Sequence, residues 1–441
     1  MKFITDNQTL GDLNILGKYN PTSIFSIFNK TRTKGGGRLL ETMFNYPLTN
    51  IEAINERSDI FAFFETLDVS LPFSYSEFEL SENYLKNGGY SNKLLSYLNG
   101  YKAKVMKLIA TTEEYDVLKE GLEATIKVLA NCKDLFEHVK SKAVGTKYEN
   151  TAEETFKILN DQQLLKAYVY KGKHLNFNRF LKLDTVFRTY LSKKTETLIK
   201  NIYAFDVYLA VSKVSKFKGY TYAKALDKAE KVIDMKGAYH PSIPNAITND
   251  ILIDSAKNVM FLTGANMAGK STLMKTAAIN FYLAHMGFPV AAKQMRFSLH
   301  DGIYTSINVP DNIDKGYSHF YAEVLRVKHV AEEVASDKKM LIIFDELFKG
   351  TNVKDAYDGT ISVIDAFSKR NGAFIISTHI IEAGETLQKQ NDQLFFKYLP
   401  TVVKKNVPSY TYKLEDGISD DRQGMMIINR EQILETIMGV Y

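Results

Sequence analysis

The chain has 441 residues, 45% apolar and 24% charged, with a formal net charge of +5. That composition supports two or three cored domains, at roughly 150 residues each, and excludes disordered and fibrous classes. One cysteine, Cys132, excludes an internal disulfide framework and favours a reducing compartment.

The N-terminal stretch MKFITDNQTL lacks the long apolar core of a secretory signal. The run TAAINFYLAHMGFPVAA carries Asn280, His285 and Pro289 and is too short to span a bilayer. A soluble cytoplasmic protein with no membrane partner is therefore expected.

Taken in chain order, residues 1–235 read as mostly helical. From Tyr84 to Val139, leucines and isoleucines recur at spacings of three and four, with few breakers after Gly100. Cys132, within VLANCKDLF, reads as a packed helix residue rather than a nucleophile. A second helical region, LNFNRFLKLDTVFRTYLSKKTETLIKNIYAFDVYLAVSKVSKF, runs through the most basic part of the chain. Residues 1–235 hold 34 Lys/Arg against 28 Asp/Glu, whereas 236–441 hold 22 against 23. Residues 166–224 alone carry 13 against 3. Such a surplus suits either a polyanion-binding surface, where each cation releases counterions, or a solvated helix face.

The pattern changes at KGAYHPSIPNAITND. Beyond it the short apolar runs NVMFL, MLIIF and AFIIS alternate with helical stretches, which predicts an α/β layer with a mostly parallel sheet. The domain boundary is placed near residue 235, giving domains 1–235 and 236–441.

Three motifs follow. Gly264-Ala-Asn-Met-Ala-Gly269-Lys270-Ser271 fits G-x-x-x-x-G-K-[ST] at every fixed position. The glycines let backbone N–H groups face phosphate oxygens, and the following helix directs its positive end at the same anion. Lys270 is expected to reach the β- and γ-phosphates of ATP, and the Ser271 hydroxyl to ligate Mg²⁺. In KKMLIIFDELFKGTN, Asp345 is placed to hold Mg²⁺ at a strand end and Glu346 to polarise the attacking water. In GAFIISTHIIEAGETL, His379 follows a strand, as a γ-phosphate sensor or water-orienting group rather than a capping residue. Adjacent acids with a strand-terminal histidine point to the ABC-like branch of phosphate-loop ATPases, in which two domains sandwich the nucleotides.

TGANMAGKST resembles the TGPNMGGKST loop of the MutS family of DNA mismatch-repair ATPases, including Asn266-Met267. FDELFKGTN is similar to that family's DEIGRGTS, STHI to its ATHY, GYSHFYAEVLRV to its STF-x-x-E signature and KGAYHPSI to its GRHP segment. YTYKLEDG resembles a strand that follows the histidine. TRTKGGGRLLETMFNYPLTNIEAINERSDIFAFF and LIKNIYAFDVYLAVSKVS resemble the outgoing and returning parts of the family's core domain.

The resemblance implies an α/β ABC-like P-loop ATPase domain over 236–441, preceded by a mostly α-helical core and lever domain over 1–235 with its DNA clamp reduced or absent. Gly264, Met267, Gly269, Lys270, Ser271 and Thr272 are then cofactor-binding residues. Asn266 contacts the γ-phosphate and joins Glu346 and His379 as catalytic; Ser271 and Asp345 hold the metal. Ser318 reaches the partner subunit's nucleotide, and Ile247, otherwise a core isoleucine, packs on adenine.

Departures from the family pattern are Ala265 for proline, Lys349 for arginine, His319 for threonine, and DDRQGMMII for the SYGI segment. The core-domain resemblance begins within the first few dozen residues, so a mismatch-reading domain is not expected. A literal Phe-x-Glu at Phe63–Glu65 reads as helix packing.

The expected function is an Mg²⁺-ATPase acting as a homodimer, coupling hydrolysis to DNA binding in repair or recombination, without autonomous mismatch recognition. Other repair or recombination proteins are possible partners. An RNA- or ribosome-associated ATPase and an ATP-switched protein-interaction module are the alternatives; salt-sensitive DNA binding, co-sedimentation with ribosomes, or neither would separate them.

Overall fold

The computed structural model describes residues 2–17, 20–86, 112–307, 319–404, 407–419 and 432–439. Two compact units result. One comprises residues 1–27, 44–58 and 218–441, the other residues 28–43 and 59–217.

The first unit is built on a six-stranded sheet, with strands β1 (Val259–Gly264), β2 (Gly302–Ser306), β3 (Met340–Phe344), β4 (Gly372–Ser377), β5 (Leu394–Leu399) and β6 (Glu415–Asp416). Their order across the sheet is β6-β5-β1-β4-β3-β2, with every pair parallel except β6 against β5. The runs NVMFL, MLIIF and AFIIS thus become β1, β3 and β4, side by side at the centre. Continuous apolar runs suit strands covered on both faces, and Met260, Phe261, Ile342, Ile343, Phe374 and Ile375 are all buried.

Register aligns the carboxyl ends. Leu399 pairs with Gly264, Ser377 with Leu262, and both Ile376 and Ser306 with Phe344. Helix Lys270–His285 follows β1 and is buried almost all round, as expected for a core helix without a polar stripe. A second, four-stranded sheet is formed by Lys224–Leu226, Gln294–Ser298, Ile233–Ala238 and Asn249–Ile253, in that spatial order.

A boundary at 235 falls inside the strand Ile233–Ala238, which pairs on both sides within this unit. Contacts divide the chain instead between residues 217 and 218, at the end of helix Ser192–Lys218. The N-terminal stretch also belongs with the sheet unit rather than with the helices. Ile4 bridges Gly302, and Asp12 accepts from Thr305 Oγ1 at 2.8 Å and from the Ile307 amide at 3.0 Å. Arg326 forms a two-pronged ion pair with Asp6. The YTYKLEDG segment is not one strand: Tyr410 ends the short strand Val407–Tyr410, and Glu415–Asp416 turns back antiparallel to β5. The strand that follows His379 in the sheet is β5 itself.

The second unit is helical: among its described elements are Tyr75–Lys86, Thr112–Ala143, Glu149–Leu159, Phe177–Arg188 and most of Ser192–Lys218. Its core gathers Phe63, Phe64, Phe78, Phe136, Tyr148 and Phe205, so Phe63 is a packing residue within helix Ile51–Thr66. Cys132 is buried in helix Thr112–Ala143, and burial pushes its thiol up to about 12, far from a thiolate. Asp206 accepts from the Arg32 amide at 3.0 Å, the Thr33 amide at 2.8 Å and Thr33 Oγ1 at 2.7 Å. It thereby satisfies donors just ahead of helix Lys34–Asn45 and backs the local cap, in which Thr33 Oγ1 accepts from the Gly36 amide at 2.9 Å. No described helix is long and apolar enough to cross a membrane.

Candidate nucleotide-binding site

At the carboxyl end of β1 the chain turns through Gly264–Gly269 into helix Lys270–His285. Gly264 and Gly269 adopt φ of 139° and 102°, and Met267 adopts 70°. A Cβ on Gly264 would stand 3.1 Å from the Leu399 carbonyl oxygen, and one on Gly269 3.1 Å from the Tyr412 ring. Both glycines are thus required by conformation and by space together. Met267 holds the left-handed conformation at a cost of about 1–2 kcal/mol, and stands 77% exposed at the loop crest. Asn266 beside it is exposed.

Lys270 is 5% exposed, and its amine donates to the carbonyls of Gly264 at 2.8 Å and Ala265 at 3.2 Å. Burial lowers its affinity for a proton, opposed by the charges of Asp345 and Glu346. Ser271 Oγ donates to one oxygen of Asp345, and Ser377 Oγ donates to the other at 2.5 Å. Ser377 Oγ also accepts from the Glu346 amide at 3.0 Å. The loop and the ends of β3 and β4 are thereby tied together through side chains 74 and 32 residues apart.

Glu346 and Phe348 both have positive φ, 56° and 61°. The chain is kinked there and anchored by the Phe348 amide on Glu323 at 2.6 Å and the Leu347 amide on the Ser377 carbonyl at 3.1 Å. Strain of this kind persists where the surroundings over-determine it. The kink aims the Glu346 carboxylate between two donors: His379 Nε2 lies 2.5 Å from Oε1, and Lys349 Nζ lies 2.6 Å from Oε2. The His379 bond, followed by that of Lys349, overcomes burial and holds the carboxyl down at about 2.

A cavity of about 610 Å³ lies against the loop. Its walls include Gly269 to Thr272, Glu346, His240, Ile243, Ile247, Asn249, Leu399 and Tyr412. Ile247 is 48% exposed there. Asn249 Nδ2 donates to the Tyr412 carbonyl at 3.0 Å while its Oδ1 accepts from the Leu414 amide at 2.8 Å. This clamp holds Tyr412 at φ 55° with its ring over Gly269.

The structure therefore brings together Gly264, Gly269, Lys270, Ser271, Asp345, Glu346 and His379, and sets Asn266, Met267, Thr272 and Ile247 around one cavity. Ser318 lies outside the described residues, as does the DDRQGMMII segment. Sequence reasoning missed Ser377, His240 and Tyr412 as site residues and saw Lys349 only as a departure. Ser377 directly precedes Thr378-His379, a visible signal; Tyr412 left none, because its place depends on Asn249 far upstream.

Two hard oxygen donors, Ser271 Oγ and Asp345 Oδ2, lie side by side. Among the described residues no cluster of three or more His, Cys, Asp or Glu could hold a metal. That sparse set suits Mg²⁺, which uses one or two protein ligands and completes its shell with water and phosphate.

Comparison with known proteins finds MutS domain III matching residues 8–349 and MutS domain V matching residues 260–439. The chain is 25% identical to the DNA mismatch repair protein MutS of Streptococcus agalactiae serotype Ia, over 97% of this chain and 51% of that protein. It is 27% identical to MutS of Lactococcus lactis subsp. cremoris, over 61% of this chain and 32% of the relative. It is 25% identical to the DNA mismatch repair protein MSH3 of Vanderwaltozyma polyspora, over 84% and 37% respectively. The chain thus spans between about a third and a half of the length of these relatives.

Proposed function

The chain belongs to the MutS family, and on that premise we propose that it is a P-loop ATPase, its sheet unit the catalytic part, that couples Mg²⁺-ATP hydrolysis to DNA binding in repair or recombination. The observation that carries this reading is the convergence of the Gly264–Thr272 loop, Asp345, Glu346 and His379 at the carboxyl ends of adjacent parallel strands. Ligands of open α/β sheets bind at that edge.

In this reading the loop amides of Gly264–Lys270 cradle the phosphates, with the N-terminal end of helix Lys270–His285 behind them. Lys270 Nζ, beside the Gly264 and Ala265 carbonyls, transfers its donors to β- and γ-phosphate oxygens. Asn266 meets the γ-phosphate. Ser271 and Asp345 hold the Mg²⁺, which neutralises charge developing on the transferring phosphoryl group. Glu346 orients water and accepts its proton; its depressed basicity means that it remains a carboxylate throughout the neutral range. His379, in contact with Glu346, carries the γ-phosphate state to that carboxylate. Ile247 and Tyr412 face one cavity from different segments and form a slot for the flat apolar base.

The helical unit, residues 28–43 and 59–217, supplies the polyanion surface. Lys166, Lys173, Lys182, Lys193 and Lys213 are exposed, and phosphate contacts of this kind give affinity without base readout. Met267 on the loop and Val353 beside the Glu346–Lys349 segment are both exposed. We assign that face to a second copy in a cytoplasmic homodimer, with Ser318 reaching the partner's nucleotide.

ATP turnover by the intact chain tests the reading, measured with and without duplex DNA beside a Lys270→Ala control. Sustained Mg²⁺-dependent phosphate release that is lost in Lys270→Ala supports it. Absence of nucleotide binding by the unmodified chain overturns it.

A further inference from the structure

We propose that the same sheet carries a second ligand site at its opposite edge, for a small hydroxylated phosphate ester such as a pentose phosphate. A cavity of about 240 Å³ lies there, and its walls include Lys231, Asn258, His300, Lys339 and Arg370. Asn258 immediately precedes β1, Lys339 immediately precedes β3, and Gly372 begins β4. The three strands that end in the loop, Asp345 and Ser377 therefore begin at this cavity.

Its electrostatics are unbalanced. Lys339 is 5% exposed and donates to the Lys228 carbonyl at 2.9 Å and to Ser298 Oγ at 2.7 Å, which leaves one N–H of its ammonium uncommitted. Among the described residues, neither Lys339, Lys231 nor Arg370 has a carboxylate partner, whereas Lys228 is taken by Asp301 and Lys369 by Asp365, each at 2.5 Å. The one acid in the wall, Asp254, takes the Ala256 amide at 2.9 Å and the Lys257 amide at 3.0 Å on a single oxygen, Oδ1, and is outnumbered by the cations around it. A buried, unpaired ammonium is costly, and an anion offsets that cost.

Two orphan acceptors narrow the ligand further. His300 Nδ1 lies 2.6 Å from the Ser298 carbonyl and so donates, which makes Nε2 an acceptor; it has no partner among the described residues. Asn258 Nδ2 donates to the carbonyls of Ser368 at 2.9 Å and Arg370 at 3.1 Å, and its Oδ1 is likewise without a partner. Both atoms are sealed from water, so a ligand donor reaches them as the wall gives way; a ligand that brings negative charge and O–H donors then satisfies the whole set. Sulfate brings charge alone. The cavity is well under half the 610 Å³ of the first one, a volume suited to a pentose phosphate rather than a nucleoside triphosphate.

Burial, then the neighbouring Lys231 and Lys228, lower Lys339 to about 8, with Asp227 and Asp301 opposing. The buried His300 ring beside it stays neutral, its affinity for a proton lowered first by burial and then by Lys339. A bound dianion at pH 8 favours the ammonium form of Lys339, so binding takes up a proton.

Calorimetric titration of the full-length Lys270→Ala protein at pH 8 with ribose 5-phosphate, inorganic phosphate and sulfate tests the site, because that background silences the Gly264–Thr272 loop. A failure of the ATPase reading would appear with nucleotide in the unmodified chain and leaves this titration untouched. Expected are saturable binding of ribose 5-phosphate, proton uptake between buffers of different ionisation heat, and at least tenfold weaker sulfate binding. Inorganic phosphate separates the sources: binding as tight as ribose 5-phosphate assigns the site to free phosphate and overturns the ester. Adding Lys339→Met should weaken binding at least tenfold, and Arg370→Gln, at an exposed position, at least threefold. No saturable binding of either phosphate, or binding indifferent to Arg370→Gln and to a folded Lys339→Met, overturns the proposal.

Discussion

Glu346 and His379, 33 residues apart, meet through a 2.5 Å contact between Oε1 and Nε2, and the same carboxylate is held on its other oxygen by Lys349. In Glu346→Gln the shape persists but no carboxylate remains to accept a proton from water. Nucleotide affinity is expected to change little and turnover to fall by about a hundredfold or more. Single-turnover phosphate release alongside equilibrium binding of a fluorescent ATP analogue separates the two. Normal turnover in Glu346→Gln removes this residue from the chemistry.

The two clamps also set a pH response. Glu346 has its folded value depressed to about 2, chiefly by His379, from an ordinary 4.5. Its contribution to stability is therefore present above 4.5 and is lost as the pH falls toward 2. In His379→Ala the carboxyl should return toward its ordinary range. The acid limb of turnover should then move upward in pH relative to the native chain, read from kcat between pH 4.5 and 8. An acid limb that stays in place would mean that His379 does not govern the carboxylate.

His285 supplies a second titration, in the opposite chemical sense. It is fully buried among Phe3, Phe281 and Phe297, and burial lowers it from 6.5 to about 3. A depressed histidine must remain neutral to stay folded, so stability is complete above 6.5 and falls as the pH drops toward 3, by up to about 1.4 kcal/mol per pH unit. Urea midpoints at pH 7.5 and 5.5 should fall in the native chain and fall less in His285→Phe. Equal losses in both would place the acid sensitivity elsewhere.

Asp206→Ala strips the acceptor from the Arg32 and Thr33 amides and from Thr33 Oγ1. Buried donors left without partners cost about 1–3 kcal/mol, visible as a lower denaturant midpoint for the helical unit. ATPase activity per folded molecule is expected to hold. A midpoint unchanged from the native chain would show that water replaces the carboxylate.

Paired reversal of Lys182 and Lys193 to glutamate, both exposed, should weaken duplex binding and reduce the salt slope by about 1 for each phosphate no longer neutralised. Lys194 is a poorer choice, since it is committed to Asp161 at 2.6 Å and to Tyr190. Fluorescence anisotropy between 50 and 200 mM salt reads both quantities. Unaltered binding and slope would exclude this face.

The parts of the fold that proved legible were those with local causes. NVMFL, MLIIF and AFIIS read as buried strands because four or five successive apolar residues suit a covered parallel sheet, and they are β1, β3 and β4. The loop was legible because its glycines recur at fixed spacing. What escaped was long-range. Tyr412 stands over Gly269 only because Asn249 grips its backbone from both sides. The Lys349 contact needs the two positive-φ residues around Leu347, which no pattern of residue types announces. Likewise, nothing in MKFITDNQTL reveals that Ile4 will pair with Gly302.

That last pairing has a practical consequence. Ile4 and Asp12 cap the outer margin of β2, which is the last strand of its sheet. Removing residues 2–12 would bare the amides of Ile303, Thr305 and Ile307, now held by Ile4, Thr9 and Asp12. Exposed rows of this kind recruit strands from neighbouring molecules. A version trimmed at its start should precipitate on concentration even though every residue around the phosphate loop is intact.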